Sequence, residues 1–175
     1  WLLDRARNTR GGGEEKVALQ KTLVMTALKL AKPDQMASVK KAAETYNAKD
    51  LVANVEEVVN ACGDKVDCYV SAIQKGDYQR KEKQLAGIKA GYMIGVLGNE
   101  AARDQLVGAL GSIENAALRF VAAQTIDHLT PKGSDQVVTQ LEEIIAKNKL
   151  SGDPNRMAAD QPLQQVAYRL SVRGG

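Results

Sequence analysis

Apolar residues recur every three or four positions from Glu14 almost to the end of this 175-residue chain, which is the period of an amphipathic α-helix. No segment alternates between apolar and polar residues for long enough to predict a strand, and even the β-branched residues of 52–59 fall at helical spacing. The sequence therefore predicts an all-α fold of about eight or nine helices. Gly, Pro and polar turns bound the predicted helices at 14–31, 36–43, 50–62, 64–75, 85–97, 99–110, 118–129, 134–147 and 163–172.

The N-terminal segment, residues 1–13, is set apart by three consecutive glycines, Gly11 to Gly13. Residues 1–10 can form a short helix, which the glycines end. We expect the segment to be either a flexible joint to something upstream or a disordered terminus. Because the chain opens with Trp1 rather than Met, we expect it to be a fragment or a processed product. Residues 14–175 form the predicted helical domain.

The second half of the chain repeats a helix template that has small residues at positions 4 and 5 and a large aliphatic residue at position 8. Gly87 opens one copy, Arg119 opens another 32 residues later, and Leu163 opens a third 44 residues further on. A turn and a second amphipathic helix, 99–110 and 134–147, follow the first two copies. One helix pair cannot bury both of its faces, so such pairs stack on a shared core.

With this template, residues 87–110 resemble one repeat of the HEAT-repeat family. Leu118-Arg119 with Ala122-Ala123 resembles the opening of the next repeat, where the family favours a basic residue. The resemblance covers 85–172 as clearer repeats and 14–75 as divergent helix pairs, and it departs from the family at Gly87 and in the spacing of 44. It implies a right-handed α-α superhelix, a short solenoid of stacked antiparallel helix pairs.

Three glycines, Gly87, Gly91 and Gly95, stand four residues apart on one face of a predicted helix. Without side chains on this face, another helix can approach closely, so we expect a tight helix–helix contact at Gly91. The same spacing in lipid favours dimers of membrane helices, but Lys89 interrupts the segment. The longest apolar run, 90–98, has nine residues, well below the roughly 18 that a span requires. We predict no membrane span.

Catalytic and cofactor motifs are absent from the sequence: it contains no nucleophile elbow, no phosphate-binding loop and no zinc-protease motif. His128 is the sole histidine and lies near the C-terminal end of a predicted helix. The helix dipole favours a cation there, so we expect a structural or capping role for this side chain. The adjacent carboxylates of 56–57 and of 142–143 diverge around their helices. We predict that the protein is not an enzyme and binds no cofactor and no small-molecule substrate.

The two cysteines, Cys62 and Cys68, lie at the end of one predicted helix and in the first turns of the next. A helical hairpin can bring such positions within disulfide distance. Buried free thiols are a second interpretation, and a metal site with Asp64 and Asp67 is a third, although a structural zinc site would need more Cys or His ligands. The pattern around the cysteines also resembles helical-repeat proteins exported by some bacteria. A disulfide predicts a periplasmic or secreted protein, and free thiols predict a cytoplasmic one.

The net charge of +3 is carried by the two ends of the chain, because residues 14–155 sum to −1. Nucleic-acid binders normally carry a concentrated basic face on the folded body, so nucleic acid is a weak expectation as a partner. The best support for binding nucleic acid or an anionic surface is a basic cluster that Asp77 and Glu82 interrupt. The cluster consists of Lys75, Arg80, Lys81 and Lys83.

These observations favour a non-catalytic protein–protein interaction scaffold, as one part of a larger exported bacterial assembly. Its partner is expected to be another protein or protein complex, and the alternative is the nucleic-acid or anionic-surface module. The second helices of the repeats keep a polar face beside their apolar stripe, and stacked repeats present such faces to partners. The predicted interaction surface comprises Arg103, Asp104, Gln136, Gln140 and Glu143.

Overall fold

The computed structural model of the chain describes residues 1–76 and 80–174, without the side chains of Lys81 and Glu82. These residues form eleven α-helices and a 3-10 turn at Pro33–Gln35, and none of them forms a strand, which confirms the all-α prediction. The helices are α1 Leu2–Arg7, α2 Gly13–Leu30, α3 Met36–Thr45, α4 Lys49–Cys62, α5 Val66–Lys75, α6 Lys81–Leu97, α7 Glu100–Leu110, α8 Ala116–His128, α9 Asp135–Ser151, α10 Pro154–Ala159 and α11 Gln161–Gly174.

Side-chain caps begin three of the repeat helices. The side chains of Asn99, Asn115 and Ser134 accept hydrogen bonds from backbone N–H groups in the first turns of α7, α8 and α9, which satisfies donors that a helix leaves unpaired. Asp50 lies inside the first turn of α4, and Ala48 occupies the cap position. A carboxylate in the first turn still interacts favourably with the helix dipole.

The N-terminal helix α1 packs against α2. Ala6 is completely buried, and the side chain of Gln20 donates a hydrogen bond to the Ala6 carbonyl at 3.1 Å. Leu2 and Leu3 pack against the apolar cluster formed by α2, α3 and α4. The glycine segment between α1 and α2 therefore reverses the chain so that α1 lies on the helical domain.

The repeat helices contact one another in two series. In the first series, which we call the first-helix row, α6 contacts α8 and α8 contacts α11. In the second series, the second-helix row, α5 contacts α7 and α7 contacts α9. The rows contact each other through α5 with α6, α7 with α8, and α9 with α11. Each second-row helix therefore packs mainly on the first-row helix that follows it in the chain.

The buried side chains form two apolar clusters that share α4 and α6. Most of α4, through Val59, belongs to the cluster of α2 and α3, whereas its last residue, Cys62, belongs to the larger cluster of α5 to α11. In α6, Leu85 joins the first cluster and Ile94 joins the second. Val58 packs against both clusters, so α4 and α6 connect the N-terminal helices to the repeat helices.

The two interfaces within the first-helix row use the same positions of the repeat template, numbered from Gly87, Arg119 and Leu163 as position 1. Between α6 and α8, a Cβ placed on Gly95 (position 9) would lie 3.7 Å from Cγ2 of Thr125 (position 7). Between α8 and α11, Asp127 (position 9) lies 3.1 Å from Nη2 of Arg169 (position 7). Position 9 therefore meets position 7 in both interfaces, whereas the two helices of the expected repeat 87–110, α6 and α7, pack mainly on α5 and α8 rather than on each other. The short helix α10, inserted before α11, contributes to the longer second spacing.

Gly91 lies at a tight contact between α6 and α8, as predicted. A Cβ on Gly91 would lie 2.3 Å from Cγ1 of Val121, far inside van der Waals contact. The hydroxyl of Thr125 donates a hydrogen bond to the Gly91 carbonyl at 3.1 Å, which fixes the two backbones close together. Gly95, one turn further along α6, has room for a methyl group because its nearest neighbours are 3.7 and 3.8 Å away.

We expect Gly91→Ala to lower the free energy of unfolding by about 1 kcal/mol, and Gly91→Leu to lower it by about 1–3 kcal/mol, because both overpack the α6–α8 contact. Gly95→Ala is the matched control. It gains helix propensity without a clash, so we expect it to raise the free energy of unfolding by roughly 0.5–1 kcal/mol. Urea unfolding followed by circular dichroism measures all three. A stabilised Gly91→Ala protein would show that α6 and α8 separate easily at this point.

Candidate functional site

The disulfide-bonded hairpin joins α4 to α5. Cys62 and Cys68 are bonded in the structure, with their Cα atoms 5.3 Å apart, so in this state neither sulfur is a free thiol or a metal ligand. Gly63 ends α4 with a positive φ of 53°, which glycine adopts without strain. The hydroxyl of the fully buried Tyr69 donates a hydrogen bond to the Gly63 carbonyl at 2.7 Å. Burial, and to a smaller extent the charge of Asp64, raise the pKa of Tyr69.

A groove of about 560 Å³ runs beside this disulfide, between α4, α5 and the start of α6. Its walls include apolar side chains and both cysteines, and Lys75 and Lys83 of the predicted basic cluster also line it together with Glu57. Arg80 is exposed. The other residues of that prediction, the side chains of Lys81 and Glu82 and the whole of Asp77, lie outside the described residues.

Lys89 is a buried cation that the sequence analysis did not recognise as such. Its side chain is fully buried, and its Nζ donates hydrogen bonds to the backbone carbonyls of Lys29, at 3.2 Å, and of Ala31. These carbonyls end α2, where the unpaired oxygens and the negative end of the helix dipole favour a cation. Burial lowers the pKa of Lys89 to about 8. The ammonium therefore joins α6 to the end of α2.

We expect the free energy of unfolding to rise with pH from about 8 to about 10, by on the order of 1–3 kcal/mol. The pKa of Lys89 is about 8 in the folded protein and about 10.4 in an unfolded chain, so between these values the unfolded state binds more protons. Lys89→Met should abolish the rise, and Lys83→Met, at an exposed position of α6, should keep it. Urea unfolding at several pH values below 10 avoids the ionisation of Tyr69. An unchanged rise in Lys89→Met would contradict the assignment.

A buried polar network joins α8, α9 and the start of α11. The guanidinium of Arg119 donates a hydrogen bond to the Ile113 carbonyl at 2.5 Å and pairs with the carboxylate of Asp160. The amide of Asn148 donates to the other oxygen of that carboxylate at 2.8 Å. All three polar side chains are buried. Arg119 is the basic residue on which part of the family resemblance rests, and here its charge is neutralised inside the protein.

Four of the five residues of the predicted interaction surface are exposed or half-buried on the second-helix row, and the fifth, Arg103, is buried. Asp104, Gln136 and Glu143 are exposed, and Gln140 is half-buried. The side chain of Arg103 is only 10% exposed, and it pairs with Asp104 at 2.8 Å. The expectation that Arg103 belongs to the exposed polar face is therefore wrong. The reason is that α7 contacts α5, α8 and α9, which leaves a narrower solvent-facing side than the sequence pattern suggested.

Groups with catalytic or metal-binding potential do not converge in the described parts of the chain. Within residues 1–76 and 80–174, no cluster of three or more His, Cys, Asp or Glu side chains is placed to hold a metal ion. His128 is exposed at the last residue of α8. Glu56 forms an ion pair with Lys40 at 2.9 Å, whereas Glu57 lines the groove beside the disulfide, so these neighbouring carboxylates face different surroundings.

The largest group of exposed apolar side chains within the repeats lies on the first-helix row. Tyr92 and Val96 on α6, Phe120 on α8, and Tyr168 and Val172 on α11 are all at least 39% exposed. They occupy positions 2, 6 and 10 of the repeat template, on the side of each helix that faces away from the core. The sequence analysis placed the interaction surface on the second helices of the repeats and so did not identify this one.

Comparison of the chain with protein-family models, with curated proteins and with solved structures finds no match. The search for candidate membrane helices also finds none: no helix in the described part of the chain combines the length and the apolar character that crossing a bilayer requires.

Proposed function

We propose that this protein is a non-catalytic protein–protein interaction scaffold, built as a short HEAT-like solenoid and belonging to a larger exported bacterial assembly. The observation that carries the proposal is the repeated packing of the first-helix row, in which position 9 of one helix meets position 7 of the next in both interfaces. Stacked repeats of this kind form extended surfaces for partners. The buried charges of Lys89 and Arg119 are neutralised or capped by the fold and are explained by packing alone.

The partner surface in this proposal is the polar face of the second-helix row, with Asp104, Gln136, Gln140 and Glu143. Asp104 and Glu143 are exposed carboxylates on α7 and α9, and these two helices contact each other. In this proposal their exposed faces adjoin and form one polar strip, in which Glu143 offers a carboxylate on α9 and Asp104 is paired with Arg103. A partner with basic side chains at matching spacing would gain favourable charge pairs along the strip.

A charge-reversal experiment tests this surface. We expect the double variant Gln136→Lys with Glu143→Lys, on two exposed positions of α9, to keep its helicity and melting temperature, since surface changes usually stay within about 0.5 kcal/mol. The same variant should lose a partner that the unaltered protein captures from native extract and that mass spectrometry identifies. The control, Glu14→Lys with Glu15→Lys, makes an even larger charge change on exposed positions of α2 and should keep the partner. Capture of that partner by both variants would contradict the assignment.

The exported location rests on the bond between Cys62 and Cys68, because disulfides persist in oxidising compartments. Alkylation without reductant, followed by intact-mass measurement of protein from its native compartment, tests it. We expect no label on either cysteine until a reductant is added. Label on both would favour a cytoplasmic protein.

The groove beside the disulfide favours a second candidate function, the binding of nucleic acid or another anionic surface. Lys75 and Lys83 both line this groove, so two members of the basic cluster converge in space. Phosphate binding falls steeply with salt concentration. The candidate predicts that the protein binds a single-stranded oligonucleotide at low salt and loses it with Lys75→Ala and Lys83→Ala, whereas a protein scaffold predicts no such binding.

A further inference from the structure

The exposed apolar side chains of the first-helix row form a continuous face across three helices. Position 9 of α6, Gly95, lies beside Thr125 and His128 of α8. Asp127 of α8 pairs with Arg173 of α11 at 2.7 Å. These contacts involve residues that lie next to positions 6 and 10 on each helix. We therefore infer that the exposed side chains of neighbouring helices adjoin one another. We call this surface, positions 2, 6 and 10 of α6, α8 and α11, the first-row face.

The first-row face is poor in charge in a chain of which 26% of the residues are charged: the ion pairs of Asp127 with Arg169 and Arg173 border it between α8 and α11. None of its nine positions is Asp, Glu, Lys or Arg, in contrast to the second-helix row, which exposes Asp104 and Glu143. The positions are Ile88, Tyr92, Val96, Phe120, Gln124, His128, Gln164, Tyr168 and Val172. Apolar surface of this kind marks interaction sites, and uncharged surfaces can oppose a copy of themselves without repulsion between like charges.

Two of the three face positions are identical on the two outer helices. On one side α6 presents Tyr92 and Val96 at positions 6 and 10, and on the other side α11 presents Tyr168 and Val172 at the same two positions. We propose that the first-row face pairs with the same face of a second copy of the chain, so that α6 of each copy lies against α11 of the other. A twofold axis along α8 brings each tyrosine–valine pair onto the pair of the other helix, as a twofold interface requires.

The central residue of the face, Gln124, can pair with its own copy across this twofold axis. Gln124 occupies position 6 of α8 and is exposed, so it meets Gln124 of the second copy near the axis. A primary amide carries both donors and acceptors, and two copies of it can therefore pair. Phe120, half of whose side-chain surface is exposed, lies one turn away and supplies the aromatic contact area that anchors many interfaces.

The size of the face suits a small interface. Positions 2 to 10 span nine residues, or about 13 Å, of three helices about 9 Å apart, so the flat area is roughly 350 Å². Protruding side chains increase the accessible surface above this value, toward the roughly 800 Å² per partner of a typical specific interface. The dimer is independent of the proposed scaffold function, because it uses the first-row face and leaves the second-helix row free for another protein.

Sedimentation equilibrium over a wide range of concentrations tests the proposal. We expect a reversible dimer of the 18.9 kDa chain, and Phe120→Glu should raise its dissociation constant by at least about tenfold, as expected for loss of a central aromatic anchor. The matched control is Leu150→Glu, at an exposed leucine of α9 outside the first-row face, and it should leave the constant unchanged. Circular dichroism shows whether each variant is folded. A monomeric unaltered protein, or equal weakening by both variants, would overturn the proposal.

A charge-exchange experiment tests the pairing of α6 with α11. Tyr92→Lys and Tyr168→Glu should each weaken the dimer, and the double variant should restore it, because the introduced charges of opposite sign then face each other across both halves of the interface. No restoration would overturn this pairing. If the protein is monomeric but Phe120→Glu loses a captured partner, the first-row face serves a different protein. If it is monomeric and still binds through α7 and α9, the scaffold proposal stands and the dimer does not.

Discussion

Replacing Asp160 by asparagine is expected to lower the free energy of unfolding by about 3–5 kcal/mol, because it leaves the buried guanidinium of Arg119 without a countercharge. Asp160 is 1% exposed, and its two oxygens accept from Arg119 and from Asn148. An asparagine keeps the shape of the side chain but removes the charge and one acceptor. Urea unfolding at neutral pH measures the loss.

Two further variants separate the charge from the shape of the side chain. Asp153→Asn changes an exposed carboxylate that lies 3.6 Å from Arg156, and we expect a loss of at most about 1 kcal/mol. Combining Asp160→Asn with Arg119→Met removes both buried charges, so this double variant should lose less stability than Asp160→Asn alone. A double variant that is less stable than the single one would show that packing of the arginine, rather than its charge, dominates.

The fold class and the close approach at Gly91 could be read from the sequence because both depend on spacing along one helix. Apolar residues at three and four positions predict helices, and the small residues at positions 4 and 5 of the template mark where helices approach each other. Gly91 lies at such an approach. The short helix α10 was not predicted, because six residues from Pro154 to Ala159 are too few to establish an apolar period.

Burial of charged side chains could not be read from the sequence in the same way. Whether Lys89, Arg103 or Arg119 is exposed depends on how many neighbours surround each helix, and a sequence pattern gives the face of one helix only. A signal for Lys89 did exist: it is the only charged residue in the segment 85–98. A single cation in an otherwise uncharged segment, on a helix that must pack on several neighbours, favours burial with a dedicated acceptor.

The first-row face was missed for a related reason. The template was read for its small and aliphatic positions, which pack inside the domain, and positions 2, 6 and 10 were left without a role. When the three copies are aligned, those positions lack permanent charge throughout, a property that no single helix reveals. Comparing equivalent positions of a sequence repeat therefore helps to recognise surfaces as well as cores. Here that comparison favours a face that is distinct from the polar strip on α7 and α9.

Replacing Gly133 by alanine is expected to lower the free energy of unfolding by about 2–4 kcal/mol, because a side chain there is strained and collides with backbone. Gly133 has a φ of +74°, and its Cβ would lie 2.6 Å from the backbone nitrogen of Gly174 and 2.7 Å from the carbonyl oxygen of Leu170. The last turn of α11 must therefore move away from the loop that precedes α9, and the ion pair of Arg173 with Asp127 moves with it. Gly152→Ala is the control, because Gly152 has a similar φ of +69° and open space around it, so only the backbone strain of about 1 kcal/mol applies. Equal losses in the two variants would show that α11 ends before it reaches this loop.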